Sequence, residues 1–169
     1  MTNDQYNAAS SFWIKKDAES KHMDDQELYQ RIDHFLSAHK VLALACGDAS
    51  FIRCTPLEYT LHDGALWIFS EGGLKFRALQ NHPHVSAAVF ESNMSFGSLL
   101  SCQIQGNAEI VDLYSTEYIA EASFRHIPAE MLQKLPSPMW LIRIVPDEIT
   151  LLDSSLKKEG YGSRQTWKR

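Results

Sequence analysis

The stretch Phe69-Ser-Glu-Gly-Gly-Leu-Lys-Phe-Arg-Ala-Leu-Gln-Asn-His-Pro-His-Val85 contains a strand end, a glycine loop, a short basic helix and the start of the next strand. Gly72 and Gly73 allow backbone N–H groups to approach a ligand closely. The helix that follows points the positive end of its dipole at the loop, and Lys75 and Arg77 add two full charges. This arrangement is typical of a phosphate-binding site, and equally of a surface loop and helix with solvated charges.

Short apolar runs on both sides of this stretch predict a sheet. Asp24 or Asp25 caps a predicted helix that ends near His39, with an apolar stripe at helical spacing formed by Leu28, Ile32, Phe35 and Leu36. A hairpin is predicted at Asp63-Gly64 because both residues tolerate positive φ. Gly106 is predicted to mark a bulge or a sharp bend. The expected strands are 41–46, 51–61, 65–69, 85–90, 99–111, 140–145 and 149–152, the last two separated by Pro146-Asp147.

Tight turns between the first three strands predict an antiparallel meander, which the basic helix then interrupts. We therefore predict a mainly β (α+β) fold, a split β-barrel of six to seven mostly antiparallel strands with peripheral helices. Residues 1–23 are polar and lack clear periodicity, and we interpret them as an N-terminal extension whose apolar cluster Phe12-Trp13-Ile14 docks on the body or on a partner. Residues 24–169 are predicted to form one domain.

Net charge, apolar runs and cysteine spacing argue against several classes of protein. The 169 residues carry a formal net charge of −5, which disfavours a non-specific nucleic-acid binder. We find no signal-peptide core and no apolar run of the roughly 20 residues that a membrane helix needs, so no membrane partner is expected. The three cysteines have neither disulfide nor zinc-like spacing, which predicts reduced thiols in a cytoplasmic protein.

The residues provide little evidence for metal or nucleophilic chemistry. His82 and His84 lack a third ligand at a diagnostic spacing, so no metal site is predicted. We find no nucleophile elbow, and Cys54 beside Arg53 fits a small strand residue better than a reactive thiol. Pro56 indicates an edge strand or a bulge, where free backbone groups and Arg53 suit either a planar heterocycle or solvent.

The order of motifs resembles one known family. Arg53-Cys-Thr-Pro-Leu57, then Leu66-Trp-Ile-Phe-Ser70, then Lys75-x-Arg77-x-Leu79-x-Asn81-x-Pro83 resembles the flavin-binding split barrels related to pyridoxamine 5′-phosphate oxidase. Gln103 to Ile110 looks like their following strand. Residues 138–169 look most like the small YhbP-like branch, and the resemblance covers about residues 25–169.

The resemblance implies FMN as cofactor and a homodimer that binds it across the subunit interface. It places Arg53, Cys54, Thr55, Pro56 and Leu57 along the isoalloxazine ring. It also implies that Phe69 and Ser70 continue the wall, that Lys75 and Arg77 face the phosphate, that Ser101 makes a polar contact and that Trp167 closes the site from the partner subunit.

Two residues depart from the family pattern. Gly73 stands where many relatives have Ser, and Glu71 puts a negative charge near the expected phosphate. The oxidase's own C-terminal substrate motif is not recognisable. We therefore predict an FMN-dependent oxidoreductase that acts on an unknown small molecule, with no catalytic residue assigned. The alternatives are a non-catalytic flavin- or haem-binding module and a structural dimer that has lost its cofactor.

Overall fold

The computed structural model describes residues 1–95 and 97–169. Within them one antiparallel sheet is formed by β1 (Val41–Asp48), β2 (Phe51–Glu58), β3 (Thr60–His62), β4 (Ala65–Ser70), β5 (His84–Phe90), β6 (Leu100–Val111), β7 (Trp140–Asp153) and β8 (Arg164–Lys168). The helices around it are α1 (Asn3–Ala18), α2 (Asp25–Ala38), α3 (Leu74–Asn81), α4 (Thr116–Phe124), α5 (Ala129–Gln133) and a 3₁₀ helix (Ser154–Glu159). None of the helices in these ranges is long and apolar enough to cross a membrane.

The sheet runs in the order β2-β1-β5-β6-β7-β4-β3, and β8 adds to β7. The predicted meander is wrong, because the hairpins β1–β2 and β3–β4 stand at opposite ends of this order. Tyr59 separates β2 from β3: its N–H donates to the carbonyl of Lys40 at 2.9 Å and its hydroxyl donates to that of Leu36 at 2.6 Å. The curled sheet is therefore open between β2 and β3, and we call this gap the seam.

The inner face of the sheet holds the main core. Leu44, Ile68 and Ile104 are fully buried there, and α2 covers one end with the apolar stripe that its helical spacing predicted. A second apolar cluster lies on the outer face, where α4 and α5 cover Trp67 and Leu141. These two layers confirm the mainly β fold with peripheral helices.

Several turns form as their residues predict. Asp63 and Gly64 have φ of 52° and 68°, which confirms the hairpin. The bulge at Gly106 is confirmed by a register shift after Gln105, and a Cβ at Gly106 would lie 2.3 Å from the carbonyl oxygen of Val145. The bulge accommodates one extra residue of β7 at Pro146-Asp147. Strand β7 therefore continues through these residues, and the prediction of two separate strands there is wrong.

Candidate functional site

The loop between β4 and α3 has a backbone that favours glycine. Gly72 and Gly73 have φ of 117° and 98°, outside the range that side-chain-bearing residues adopt readily. A serine at position 73 would be strained here. Because Gly73 has no side chain to cap α3, the first N–H groups of the helix keep no side-chain partner.

Lys75 lies beneath this loop and is 8% exposed. Its Nζ donates to the carbonyl of Gly72, and burial lowers the pKa of Lys75, an effect to which the nearby Arg53 guanidinium adds. Within residues 1–95 and 97–169, no carboxylate lies within ion-pair distance of Lys75 or Arg53. The Glu71 carboxylate, which lies beyond ion-pair distance, offsets only part of the burial of Lys75 and of the repulsion between the two cations. An anion between them would relieve the rest of that repulsion.

Strand β2 carries Arg53 to Leu57 and pairs with β1 alone among the described strands, as expected for an edge strand containing Pro56. Arg53 is paired with Cys46, a residue of the inner face. Alternation then places Thr55 and Leu57 on the inner face and Cys54 and Pro56 on the outer face. The second edge of β2 leaves backbone groups free for a ligand.

Phe69 and Ser70 end β4 and point to opposite faces. The Phe69 ring lies on the outer face, 5.4 Å from the ring of Tyr118, with the Arg125 guanidinium 5.7 Å away. Ser70 is buried, and its Oγ accepts from the N–H of Gly72 at 3.3 Å. Ser70 thus shapes the glycine loop directly, whereas Phe69 packs behind it.

Arg77 is engaged elsewhere. It donates to the hydroxyl of Ser50 at 2.8 Å and to Asp48 at 3.5 Å, and its guanidinium lies 4.6 Å from the ring centre of Phe51. These contacts fasten α3 to the β1–β2 turn. Arg77 therefore has a carboxylate partner in Asp48, whereas Lys75, one half-turn earlier, donates only to a backbone carbonyl among the described residues.

Two predicted residues lie away from this loop in the chain. Ser101 is on β6, opposite Phe90 and Leu152, and two strands separate β6 from β2. Trp167 is on β8, where it packs at 4.9 Å against Tyr29 of α2. One protomer brings Arg53 and Ser70 close to Lys75 and the glycine loop, and β2 carries Cys54 to Leu57 away from Arg53 along its free edge. It does not bring Ser101 or Trp167 to this loop.

A separate cleft of about 520 Å³ opens between α2 and the ends of β6 and β7, away from the glycine loop. Its apolar floor includes Phe35 and Leu151. Arg31 on its rim is held by Glu27 at 2.9 Å and Glu159 at 2.7 Å. The cleft therefore lacks the free cation that distinguishes the region around Lys75.

Comparison with known proteins begins at the sequence level. No protein-family model matches the chain. A UPF0306 protein from Serratia proteamaculans (strain 568) is 24% identical over 151 residues, which cover 87% of this chain and 99% of that protein.

Solved structures share the architecture. An FAD-binding protein from Mesorhizobium loti superposes with a TM-score of 0.59 and 20% identity, covering 77% of this chain and 93% of that one. A candidate pyridoxamine 5′-phosphate oxidase from Listeria innocua superposes with a TM-score of 0.57 and 24% identity, covering 74% of this chain and 98% of that one. The chain has the fold of the pyridoxamine 5′-phosphate oxidase-like split barrels. The haem storage protein HutZ from Vibrio cholerae shares this split-barrel fold too, with a TM-score of 0.57 and 21% identity, covering 69% of this chain and 88% of that one.

These likenesses confirm the predicted split barrel and the resemblance to the pyridoxamine 5′-phosphate oxidase-like proteins. The assignment to the YhbP-like branch stays a prediction. So do the roles of the individual site residues, which the geometry sorts into those near Lys75 and those remote from it.

Proposed function

We propose that this chain binds FMN with the phosphate at the Gly72–Gly73 loop. The observation that carries the proposal is the buried Lys75 ammonium, which lies near Arg53 and has no carboxylate within ion-pair distance among the described residues. Glu71 acts on it only from farther away. A phosphate monoester supplies the missing negative charge and accepts hydrogen bonds from the free N–H groups that open α3. Glu71 is exposed to solvent, so its carboxylate can stay clear of the phosphate.

The flavin ring is proposed to lie along β2. The free edge of this strand offers backbone donors and acceptors to a planar heterocycle, and Thr55 and Leu57 are half-buried beside it. The split-barrel neighbours named as FAD-binding and as a pyridoxamine 5′-phosphate oxidase support a flavin in this fold.

The proposed activity is that of an FMN-dependent oxidoreductase acting on a small molecule. The bound flavin supplies the redox chemistry, and the chain holds, orients and shields it. The likeness to a haem storage protein favours one alternative, a non-catalytic module that holds haem or flavin.

A homodimer belongs to this proposal, since Ser101 and Trp167 can reach the site only from a second subunit. The outer face of β1, β2 and β5 exposes apolar side chains: Ile52 is 88% and Phe90 is 51% exposed, and Val41 and Pro56 are exposed as well. An apolar sheet face of this kind typically marks an interface between proteins. This exposed face supports a dimer interface better than Trp167 does, because Trp167 packs against Tyr29 within its own chain.

The absorption spectrum of the purified protein, recorded before and after reduction, tests the proposed function. We expect the yellow, bleachable bands of an oxidised flavin, present on purification or after adding FMN and removing the excess. A sharp Soret band without flavin bands would favour haem binding. Neither chromophore, even after reconstitution, would contradict the proposal.

We also expect negligible oxidation of pyridoxamine phosphate and pyridoxine phosphate, because the oxidase's C-terminal substrate motif is not recognisable. The measurement is peroxide release by the flavin-loaded protein with each vitamer. Robust turnover of either vitamer would show that the missing motif does not exclude this substrate.

A further inference from the structure

Helix α4 covers the outer apolar cluster close to the seam. Tyr118 and Ala122 are buried beneath it, and the Tyr118 hydroxyl donates to the carbonyl of Met139 at 2.7 Å. The helix therefore packs as part of the body.

Three charged residues of α4 and its C-cap, spaced i, i+4, i+8, reach three different strands. Glu117 lies 3.8 Å from Arg143 of β7, and Arg125 pairs with Glu58 of β2 at 2.7 Å. Glu121 is fully buried and accepts from Thr60 and His62 of β3, each at 2.6 Å. Glu58 ends β2 and Thr60 begins β3, with Tyr59 alone between them. These side chains therefore fasten α4 to the corner where the chain passes from β2 to β3.

His62 stands at the centre of this arrangement. Its Nε2 faces Glu121 at 2.6 Å and its Nδ1 faces Asp63 at 3.1 Å. The ring stacks on that of Trp67 at 5.2 Å and packs at a tilt of 36° against that of Phe124 at 4.3 Å. Only the doubly protonated imidazolium can donate to both carboxylates at once, so the geometry fits the charged histidine.

We propose that α4 is a pH-sensitive clasp on the β2–β3 corner, closed while His62 carries its proton and loosened when that proton leaves. Loss of the proton removes the positive charge that compensates the buried Glu121 carboxylate. An uncompensated buried charge is costly, so the contact between α4 and β3 weakens.

The direction of the pH effect follows from the surroundings of His62. Burial lowers the pKa of His62, but the hydrogen bonds to Glu121 and Asp63 outweigh it and leave the pKa raised above its ordinary value. The histidine therefore stabilises the closed clasp fully below about pH 6.5, its unfolded value, and this contribution is lost as the pH rises through the folded pKa.

The other charged groups at the clasp include two arginines. Arg143 lies 5.4 Å from the centre of the Trp67 ring and pairs with Glu109 and Glu117, while Arg125 pairs with Glu58. Arginine keeps its charge throughout this pH range, so His62 is the side chain in this group suited to switch near neutral pH. Since Glu58 ends β2, an open clasp also loosens the wall proposed for the flavin; that consequence, unlike the clasp itself, rests on the proposed function.

Hydrogen exchange of the flavin-free protein between pH 6 and pH 9, corrected for the intrinsic pH dependence, tests the clasp. We expect the opening equilibrium of the 116–124 amides to rise about tenfold or more relative to that of β6 amides, as a charge-assisted hydrogen bond is lost. His62→Gln should show open-clasp exchange at every pH. His22→Gln, at an exposed histidine, should behave as wild type. Equal exchange of α4 at both pH values, or a pH response retained in His62→Gln, would overturn the proposal.

An NMR titration of the wild-type His62 ring keeps the test decisive if the variant does not fold. The ring should titrate above the ordinary pKa of about 6.5, with a midpoint that matches the opening of α4. A midpoint at or below 6.5, or one unrelated to the exchange transition, would overturn the proposal as well.

Discussion

Replacing Lys75 with methionine or alanine is expected to weaken FMN binding by roughly 10- to 150-fold. The phosphate loses a charge-assisted hydrogen bond worth about 1.5–3 kcal/mol, and 1.4 kcal/mol corresponds to about tenfold in affinity. Methionine keeps the apolar stem that Lys75 packs beneath the loop, so that variant removes the charge with little loss of packing. The measurement is a fluorescence titration of FMN and of riboflavin against each protein.

Riboflavin distinguishes a phosphate contact from general damage, because it lacks the phosphate. Its weaker affinity should hardly change in either variant. Lys15→Ala, on the exposed helix α1, should leave both affinities unaltered. If Lys75→Met binds FMN as tightly as wild type, or loses riboflavin to the same extent, the Gly72–Gly73 loop does not hold the phosphate.

Phe90→Asp is expected to convert the proposed homodimer into monomers. Two-fold symmetry places the substitution in the interface twice, and each desolvated, unpaired carboxylate costs on the order of 2 kcal/mol, so dimer affinity should fall by roughly 1,000-fold. Phe90 is 51% exposed in the chain, and the fold of the protomer should therefore survive. Light scattering at micromolar concentration measures the change.

A matched variant on another face controls for surface charge alone. Met131→Asp changes an exposed apolar residue of α5 and should leave the dimer intact. A wild-type protein that is monomeric, or a Phe90→Asp protein that stays dimeric, would contradict an interface on the outer face of β1, β2 and β5. Monomeric wild type would also remove Ser101 and Trp167 from the site.

Local patterns predicted the elements better than their arrangement. The apolar stripe of α2, the Asp63-Gly64 turn and the bulge at Gly106 all follow from residue chemistry and were confirmed. The separation of β2 from β3 was missed, because strand periodicity continues through Tyr59 while its hydrogen bonds to the carbonyls of Lys40 and Leu36 come from distant residues. The order in which strands pair in the sheet depends on such long-range contacts, which short windows of sequence do not contain.

Two further elements, α1 and β8, were not predicted, and only α1 had a local signal for it. Helix α1 begins with a capping box in which Thr2 and Gln5 exchange hydrogen bonds. Strand β8 lies in a segment whose basic residues did not predict a strand. Gln165 of this strand is buried and accepts from the N–H of Met23 at 2.8 Å. A buried glutamine in a charged segment is recognisable only once the partner strand is known.

The candidate site shows the same limit. The glycine loop and Lys75 could be identified from sequence, because glycines and a lysine at a helix start have a direct physical meaning. The difference between Lys75, which is buried, and Arg77, which Ser50 and Asp48 hold, depends on how α3 rotates against β1. From their spacing in the sequence the two cations are equivalent, whereas in the structure they differ in burial and in hydrogen-bond partners.

The most direct test of the central claim is the ratio of FMN to riboflavin affinity in the wild-type protein, measured by equilibrium titration. If Lys75, Arg53 and the loop N–H groups hold the phosphate, FMN should bind at least about tenfold more tightly than riboflavin, and added inorganic phosphate should compete with FMN and not with riboflavin. Equal affinities for the two flavins, or no binding of either, would contradict the account.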